Sequence, residues 1–281
     1  MKILVTGSKG MLAHDLIPVL REAHDVVGVD LGEMDITVRA QVGQTVKDVA
    51  PDIIINCAAY TQVDKAEEEE KTAFLVNGIG AQNLARACAD SGIPLCHVST
   101  DYVFDGAKRT PYTPFDPTNP LGVYGASKLA GEKYIEWGLN RFYIIRTSWL
   151  YGKGGKNFVS TISRIAKERP VLRVVSDQVG SPTSTVTLAR AIRALITTDA
   201  YGIHHFTDRT PQERGISWFD FAREIVRLSG SSTDVVPITT EEYPLPAKRP
   251  AFSVLDTSLF SLSTGEEPTD WKEALRDYLG L

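Results

Sequence analysis

Tyr124 and Lys128 stand four residues apart in Tyr124-Gly125-Ala126-Ser127-Lys128. On a helix that spacing puts a phenol and an ammonium on one face. A phenol ionises near about 10 and donates poorly at neutral pH unless its anion is stabilised. A neighbouring cation supplies that stabilisation and moves the phenol toward the working range. The same pair also arises by chance on helix surfaces, so its surroundings decide its meaning. Upstream, the apolar run Leu95 to Ser99 ends in Ser99-Thr100-Asp101. Ligands of a parallel sheet sit beyond the carboxyl ends of its strands, which would bring the Thr100 hydroxyl beside Tyr124. Together these groups suit proton delivery to a carbonyl oxygen.

A second constellation lies at the start of the chain. Gly7-Ser8-Lys9-Gly10-Met11-Leu12-Ala13 follows one apolar run and opens a helical pattern. Glycine removes the Cβ that would keep a phosphate from backbone N–H groups, and Ala13 is small enough for close helix–strand packing. Alone, this is equally a tight strand-to-helix turn. Asp30, at the end of the next strand pattern, completes the dinucleotide fingerprint. Its carboxylate suits ribose hydroxyls and repels a 2′-phosphate, whereas Lys9 offsets that repulsion. The choice between NADH and NADPH therefore stays open.

The elements that must carry these residues alternate. Ile3 to Thr6, Asp25 to Asp30, Ile53 to Ile55, Leu95 to Ser99 and Tyr143 to Ile145 read as strands separated by helical patterns. Near-continuous apolar strands of this kind predict a Rossmann-type, doubly wound parallel α/β sheet covered on both faces. Pro18 inside the first helical pattern predicts a kink or an earlier boundary. Residues 1–150 read as the dinucleotide-binding domain, to which later segments return. Residues 151–281 read mainly as a smaller substrate-binding α/β lobe. There, helices are predicted over Phe158 to Ile165, Thr185 to Ile196, Ser217 to Gly230 and around Trp271 to Leu279, with a strand at Leu172 to Val175. Pro237 to Pro250 reads as a long loop, and Glu67 to Glu70 as the solvated face of a helix start.

Composition narrows the function. The 281 residues are 43% hydrophobic and 23% charged with a net charge of −5, an ordinary globular balance. A nucleic-acid partner would require a basic surface, yet a few local cations can hold an anionic substrate. No apolar stretch reads as a signal peptide or a membrane span. Cys57, Cys88 and Cys96 lack ligand spacing and read as buried thiols of a cytoplasmic protein. The five histidines, His14, His24, His97, His204 and His205, likewise show no ligand spacing.

Further motifs carry a family resemblance. They are Cys57-Ala58-Ala59-Tyr60-Thr61 with Val63-Asp64, Val76-Asn77, Ser99-Thr100-Asp101-Tyr102-Val103-Phe104, Asn119-Pro120-Leu121 and Val123-Tyr124-Gly125. Lys128-Leu129-Ala130-Gly131-Glu132, Arg146-Thr147-Ser148-Trp149, Asp177-Gln178, Gly180-Ser181-Pro182-Thr183 and Arg249-Pro250 follow. With these the chain resembles the extended short-chain dehydrogenase/reductase superfamily over nearly its whole length. Within it, the chain is similar to enzymes that reduce the C4 keto group of dTDP-4-dehydro-L-rhamnose with hydride from NADPH or NADH. Ala13 departs mildly from the glycine common in that superfamily.

The resemblance implies roles. Tyr124 would protonate the C4 oxygen, Lys128 would bind the nicotinamide ribose, and Thr100 and Asp101 would orient the carbonyl. Gly7, Lys9, Gly10, Met11, Leu12, Asp30, Asp35, Ile36, Ala58, Ala59, Tyr60 and Asn77 would contact the cofactor. Val63 and Trp149 would pack on the deoxysugar of a dTDP-4-dehydro-6-deoxy sugar. Asn157, Gln178 and Arg249 would hold its nucleotide and diphosphate, where the arginine fork bonds two oxygens at once. Some relatives dimerise through acids and magnesium. Asp15 matches one such acid without a clear partner near the C-terminus, so magnesium, and monomer against homodimer, remain open. Rival readings are another sugar-nucleotide reductase, an epimerase or a dehydratase. A dehydratase would have Glu where Tyr102 stands. A non-catalytic, NADP-binding subunit resembling the methionine adenosyltransferase β subunit is the non-enzyme rival.

Overall fold

Short runs, most of them rich in Val and Ile, form a six-stranded parallel sheet and three two-stranded sheets in the computed structural model, which describes residues 1–281 except Glu213. In chain order the strands are β1 (Lys2–Thr6), β2 (Asp25–Val29), β3 (Ile53–Asn56), β4 (Leu95–Thr100), β5 (Phe142–Thr147) and β6 (Leu150–Tyr151). They continue with β7 (Val171–Val175), β8 (Val179–Gly180), β9 (Thr183–Ser184), β10 (Gly202–His205), β11 (Ile216–Ser217) and β12 (Asp234–Ile238). The central sheet has the order β10-β5-β4-β3-β1-β2, every pair parallel. Chain direction across the sheet reverses between β1 and β3, the crevice in which open α/β sheets bind ligands.

The helices are α1 (Met11–Arg21), α2 (Arg39–Val49), α3 (Val63–Ala66), α4 (Glu70–Phe74), α5 (Ala81–Ser91) and α6 (Val123–Gly138). After them come α7 (Phe158–Ile165), α8 (Thr185–Leu195), α9 (Trp218–Leu228), α10 (Ser258–Thr264) and α11 (Trp271–Leu279). On one face of the sheet, Leu12, Leu16 and Leu20 of α1 and Leu188, Ile192 and Leu195 of α8 bury Ile3, Val5, Ile55 and Ile145. On the other, Val42, Val46, Leu84 and Ile135 cover Leu4, Ile54, Leu95 and Ile144. Each fully buried aliphatic side chain contributes roughly 1.5–3 kcal/mol. A third cluster joins Val159 and Ile162 of α7 to Phe221 and Ile225 of α9 and to Trp271 and Leu275 of α11. Among the described residues no helix is long and apolar enough to cross a membrane.

Several local expectations change. The first helix runs through Pro18 to Arg21, so the proline marks no boundary. Glu67 to Glu70 do not form one helix face, because the chain breaks between α3 and α4. Glu67 Oε1 instead accepts the Val123 N–H at 2.9 Å, a favourable place for an acid at the start of α6. Pro237 lies in β12, which pairs in parallel with β7, so the loop begins only after Ile238.

Candidate active site

The Gly-rich turn delivers backbone to the crevice. Gly7 has φ +66°, and a Cβ there would lie 2.7 Å from the Ala58 nitrogen; only glycine meets both demands. Gly10 precedes α1, whose first turn has no side-chain cap and no acid, leaving N–H groups for an anion. Gly7, Lys9, Gly10, Asp30, Asp35, Ile36, Ala58 and Ala59 line one cavity of about 390 Å³ with Leu31, Met34 and Val76. Met11 begins α1 beside this turn, whereas the Leu12 side chain packs in the core, leaving only its backbone to the site. Asp30 accepts from the Lys9 N–H at 2.9 Å, and Glu33 pairs with Lys9 Nζ at 3.2 Å. The glycine turn and the uncapped helix start fit the phosphates of a dinucleotide. Asn77 clamps the adjoining loop: its Oδ1 accepts the Tyr60 N–H at 2.8 Å, and its Nδ2 donates to the Tyr60 carbonyl and Ser127 Oγ. The Tyr60 hydroxyl donates to Glu69 at 2.9 Å.

Thr100 ends β4, and Tyr124 is the second residue of α6. The Thr100 hydroxyl donates to Asp101 Oδ1 at 3.0 Å, and Asp101 Oδ2 is buried without a hydrogen-bond partner among the described residues. Burial pushes the Asp101 carboxyl up to about 6. The Tyr102 ring stands edge-on to Tyr124, with centroids 5.6 Å apart. Desolvation, aided by the Asp101 charge and opposed by the Thr100 hydroxyl, pushes the Tyr124 phenol up to about 12.

The expected depression of Tyr124 by Lys128 is therefore not found. Lys128 is buried, and its Nζ turns toward β4, 2.7 Å from the Val98 carbonyl and 3.3 Å from His97 Nε2. Removal from water lowers it to about 8. One turn on, Glu132 accepts from Ser99 Oγ at 2.5 Å and from Arg146 Nη2 at 2.7 Å, with Arg146 Nε at 3.0 Å.

The substrate candidates are held in four settings. Arg249 donates to both Asp64 oxygens, at 2.6 and 2.7 Å, and holds that carboxyl below its ordinary value; half-buried Val63 precedes Asp64. The guanidinium fork thus has a carboxylate partner of its own. Trp149 has φ +49°, a strained backbone for a bulky residue. Its ring stacks on Trp218 with centroids 3.5 Å apart. Asn157 caps α7 through Oδ1, while its Nδ2 donates to the Gly152 and Gly155 carbonyls and reaches the Tyr278 hydroxyl. Gln178 donates to Thr240 Oγ1 at 2.9 Å.

Asp15 engages His14 and Thr185. Among the described residues no group of three or more His, Cys, Asp or Glu side chains surrounds a metal position.

Sequence reasoning passed over Asn56 and gave no role to His97, Ser99, Glu132, Arg146 or Asp64, although it quoted all five. Period-two alternation and helical spacing held the signal: His97 and Ser99 share one face of β4, and Lys128 and Glu132 share one face of α6.

The sheet order, the glycine turn at the crevice and a tyrosine–lysine helix beyond β4 define a Rossmann-like dehydrogenase/reductase of the short-chain type. A family model described as the RmlD substrate binding domain matches residues 1–280. The chain belongs to that family. It is 42% identical to the spore coat polysaccharide biosynthesis protein SpsK of Bacillus subtilis, over 99% of this chain and 96% of that one. A dTDP-4-dehydrorhamnose reductase structure from Clostridium acetobutylicum superposes with a TM-score of 0.96 at 44% identity, covering 100% and 99% of the two chains. The Bacillus anthracis dTDP-4-dehydrorhamnose reductase in complex with NADP gives 0.95 at 40%, covering 99% and 98%.

Proposed function

We propose that this protein reduces the C4 keto group of dTDP-4-dehydro-L-rhamnose to give dTDP-L-rhamnose, using NADPH or NADH. The observation that carries the reading is Tyr124 grouped with Thr100 and the unpartnered Asp101 oxygen at the carboxyl end of β4. Gly7, Gly10 and the α1 N-terminus would hold the dinucleotide phosphates, and Asp30 its adenosine ribose. Bound there, the nicotinamide supplies the hydride.

Tyr124 is the proton donor. With its phenol pushed up to about 12, it is protonated at neutral pH and ready to protonate the developing alkoxide. Asp101 and Thr100 orient the carbonyl region of the sugar, where the free Asp101 oxygen accepts from a neighbouring sugar hydroxyl. Lys128 would contact the nicotinamide ribose after turning from β4. Val63 and Trp149 face the deoxysugar, and Arg249, Asn157 and Gln178 hold the nucleotide diphosphate. Residues 1–150 act as the cofactor-binding part and 151–281 mainly as the sugar-nucleotide lobe. The protein works in the cytoplasm, as a monomer or a homodimer.

Tyr124→Phe tests the reading. It should cut kcat by about 10²–10⁴-fold and leave NADPH affinity within twofold. A near-normal kcat removes Tyr124 from the chemistry.

A further inference from the structure

His97 is 1% exposed and bonded through both ring nitrogens. Asn56 Oδ1 accepts from Thr6 Oγ1 at 2.6 Å and from the Ala58 N–H at 3.1 Å. A backbone N–H can only donate, so this end of the Asn56 side chain is its oxygen. The amide Nδ2 therefore faces His97 Nδ1, 2.9 Å away, and donates to it. With Nδ1 accepting, the proton of the neutral imidazole sits on Nε2. That N–H points at Lys128 Nζ, 3.3 Å away. An ammonium has three protons and no lone pair, so it opposes this donor, whereas an amine accepts from it. The 2.7 Å bond to the Val98 carbonyl can be donated by either form.

We propose that His97 is a positioning residue that holds Lys128 as an uncharged amine against β4, so that Lys128 alternates between this docked amine and an ammonium turned toward Tyr124. The inference rests on the proposed Tyr124–Lys128 chemistry. It makes His97 the residue that sets the alkaline limit of turnover, because only the ammonium serves Tyr124 and the ribose.

The groups around Lys128 agree. Burial lowers Lys128 to about 8, while Glu132 on the same helix and Cys57 after β3 pull the other way. Glu132 is already engaged by Arg146 and Ser99, and burial pushes the Cys57 thiol up to about 12, so it remains uncharged at neutral pH. His97 is held well below its usual value, chiefly by burial, which keeps the imidazole neutral with Lys128 docked as the amine.

The test combines NMR of the intact protein, with nitrogen-labelled histidine and carbon-labelled lysine, and pH profiles of kcat. Wild-type His97 should carry its proton on Nε2, and a proton on Nδ1 overturns the proposal. His97→Asn keeps an amide near Asn56 but removes the donor to Lys128. It should raise the Lys128 titration and the alkaline limb of kcat by about one pH unit, a tenfold change in proton affinity. His97→Gln restores an N–H near Nε2 and should return both toward wild type. A Lys128 titration unmoved in both variants overturns the proposal. The NMR readouts need no turnover, so absence of reductase activity would sink the functional reading alone.

Discussion

Replacing Glu132 by Leu strips Arg146 of its carboxylate in the buried interior. Arg146 is 1% exposed and Glu132 fully buried, joined by contacts at 2.7, 3.0 and 3.3 Å. The other groups near the guanidinium are His205, 3.4 Å away and held neutral, and the Phe104 ring. Arginine does not shed its proton, so Glu132→Leu should cost about 3–5 kcal/mol, the range for breaking a buried pair. Arg146→Met leaves the opposite charge, and this one has an escape. A buried carboxylate without its partner titrates above its unfolded value, so the penalty shrinks as pH falls through that raised folded pKa. Each unit separating the folded and unfolded values is worth about 1.4 kcal/mol. Removing both charges should restore stability to within about 1–2 kcal/mol of wild type or exceed it. Urea unfolding followed by tryptophan fluorescence, at alkaline and mildly acid pH, reads all three. A loss below about 1 kcal/mol for Glu132→Leu, the size of an exposed pair, would refute the reasoning. So would an Arg146→Met penalty that is independent of pH.

Two further outcomes follow from the site. Asp101 titrates at about 6 because it is buried, above its unfolded value, so its ionisation opposes folding as pH rises through about 6. Asp101→Asn should therefore be more stable than wild type by about 3 kcal/mol above neutrality and equal to it near pH 4, while losing turnover. An unchanged difference across that range, measured by urea unfolding, contradicts the assignment. Arg249→Ala should raise KM for the sugar nucleotide about tenfold with kcat little changed, because a diphosphate contact persists from ground to transition state. If KM stays fixed in steady-state assays, the Arg249–Asp64 pair serves the fold alone.

The parallel sheet was legible because Ile53-Ile54-Ile55 and Tyr143-Ile144-Ile145 are continuous apolar runs, the mark of strands buried on both faces. β10 was not, since Gly202-Ile203-His204-His205 offers one aliphatic residue and is a strand through pairing with β5. Gly7, Asp30, Tyr124 and Lys128 could be picked out because each belongs to a spacing with a physical purpose. The direction of Lys128 could not, since it depends on His97 and Val98, some thirty residues away in sequence. Glu67 to Glu70 are largely exposed, as their charges suggested, but they do not form one helix face: Glu67 binds the start of α6 and Glu69 binds Tyr60 and Lys65.

The central claim is hydride delivery to the sugar C4. It is tested most directly by supplying nicotinamide cofactor deuterated at the transferable position, together with dTDP-4-dehydro-L-rhamnose, and locating the label by NMR. One deuterium at C4 of dTDP-L-rhamnose per oxidised cofactor is the predicted result. Cofactor left unoxidised, or a sugar nucleotide changed without taking up the label, would contradict it.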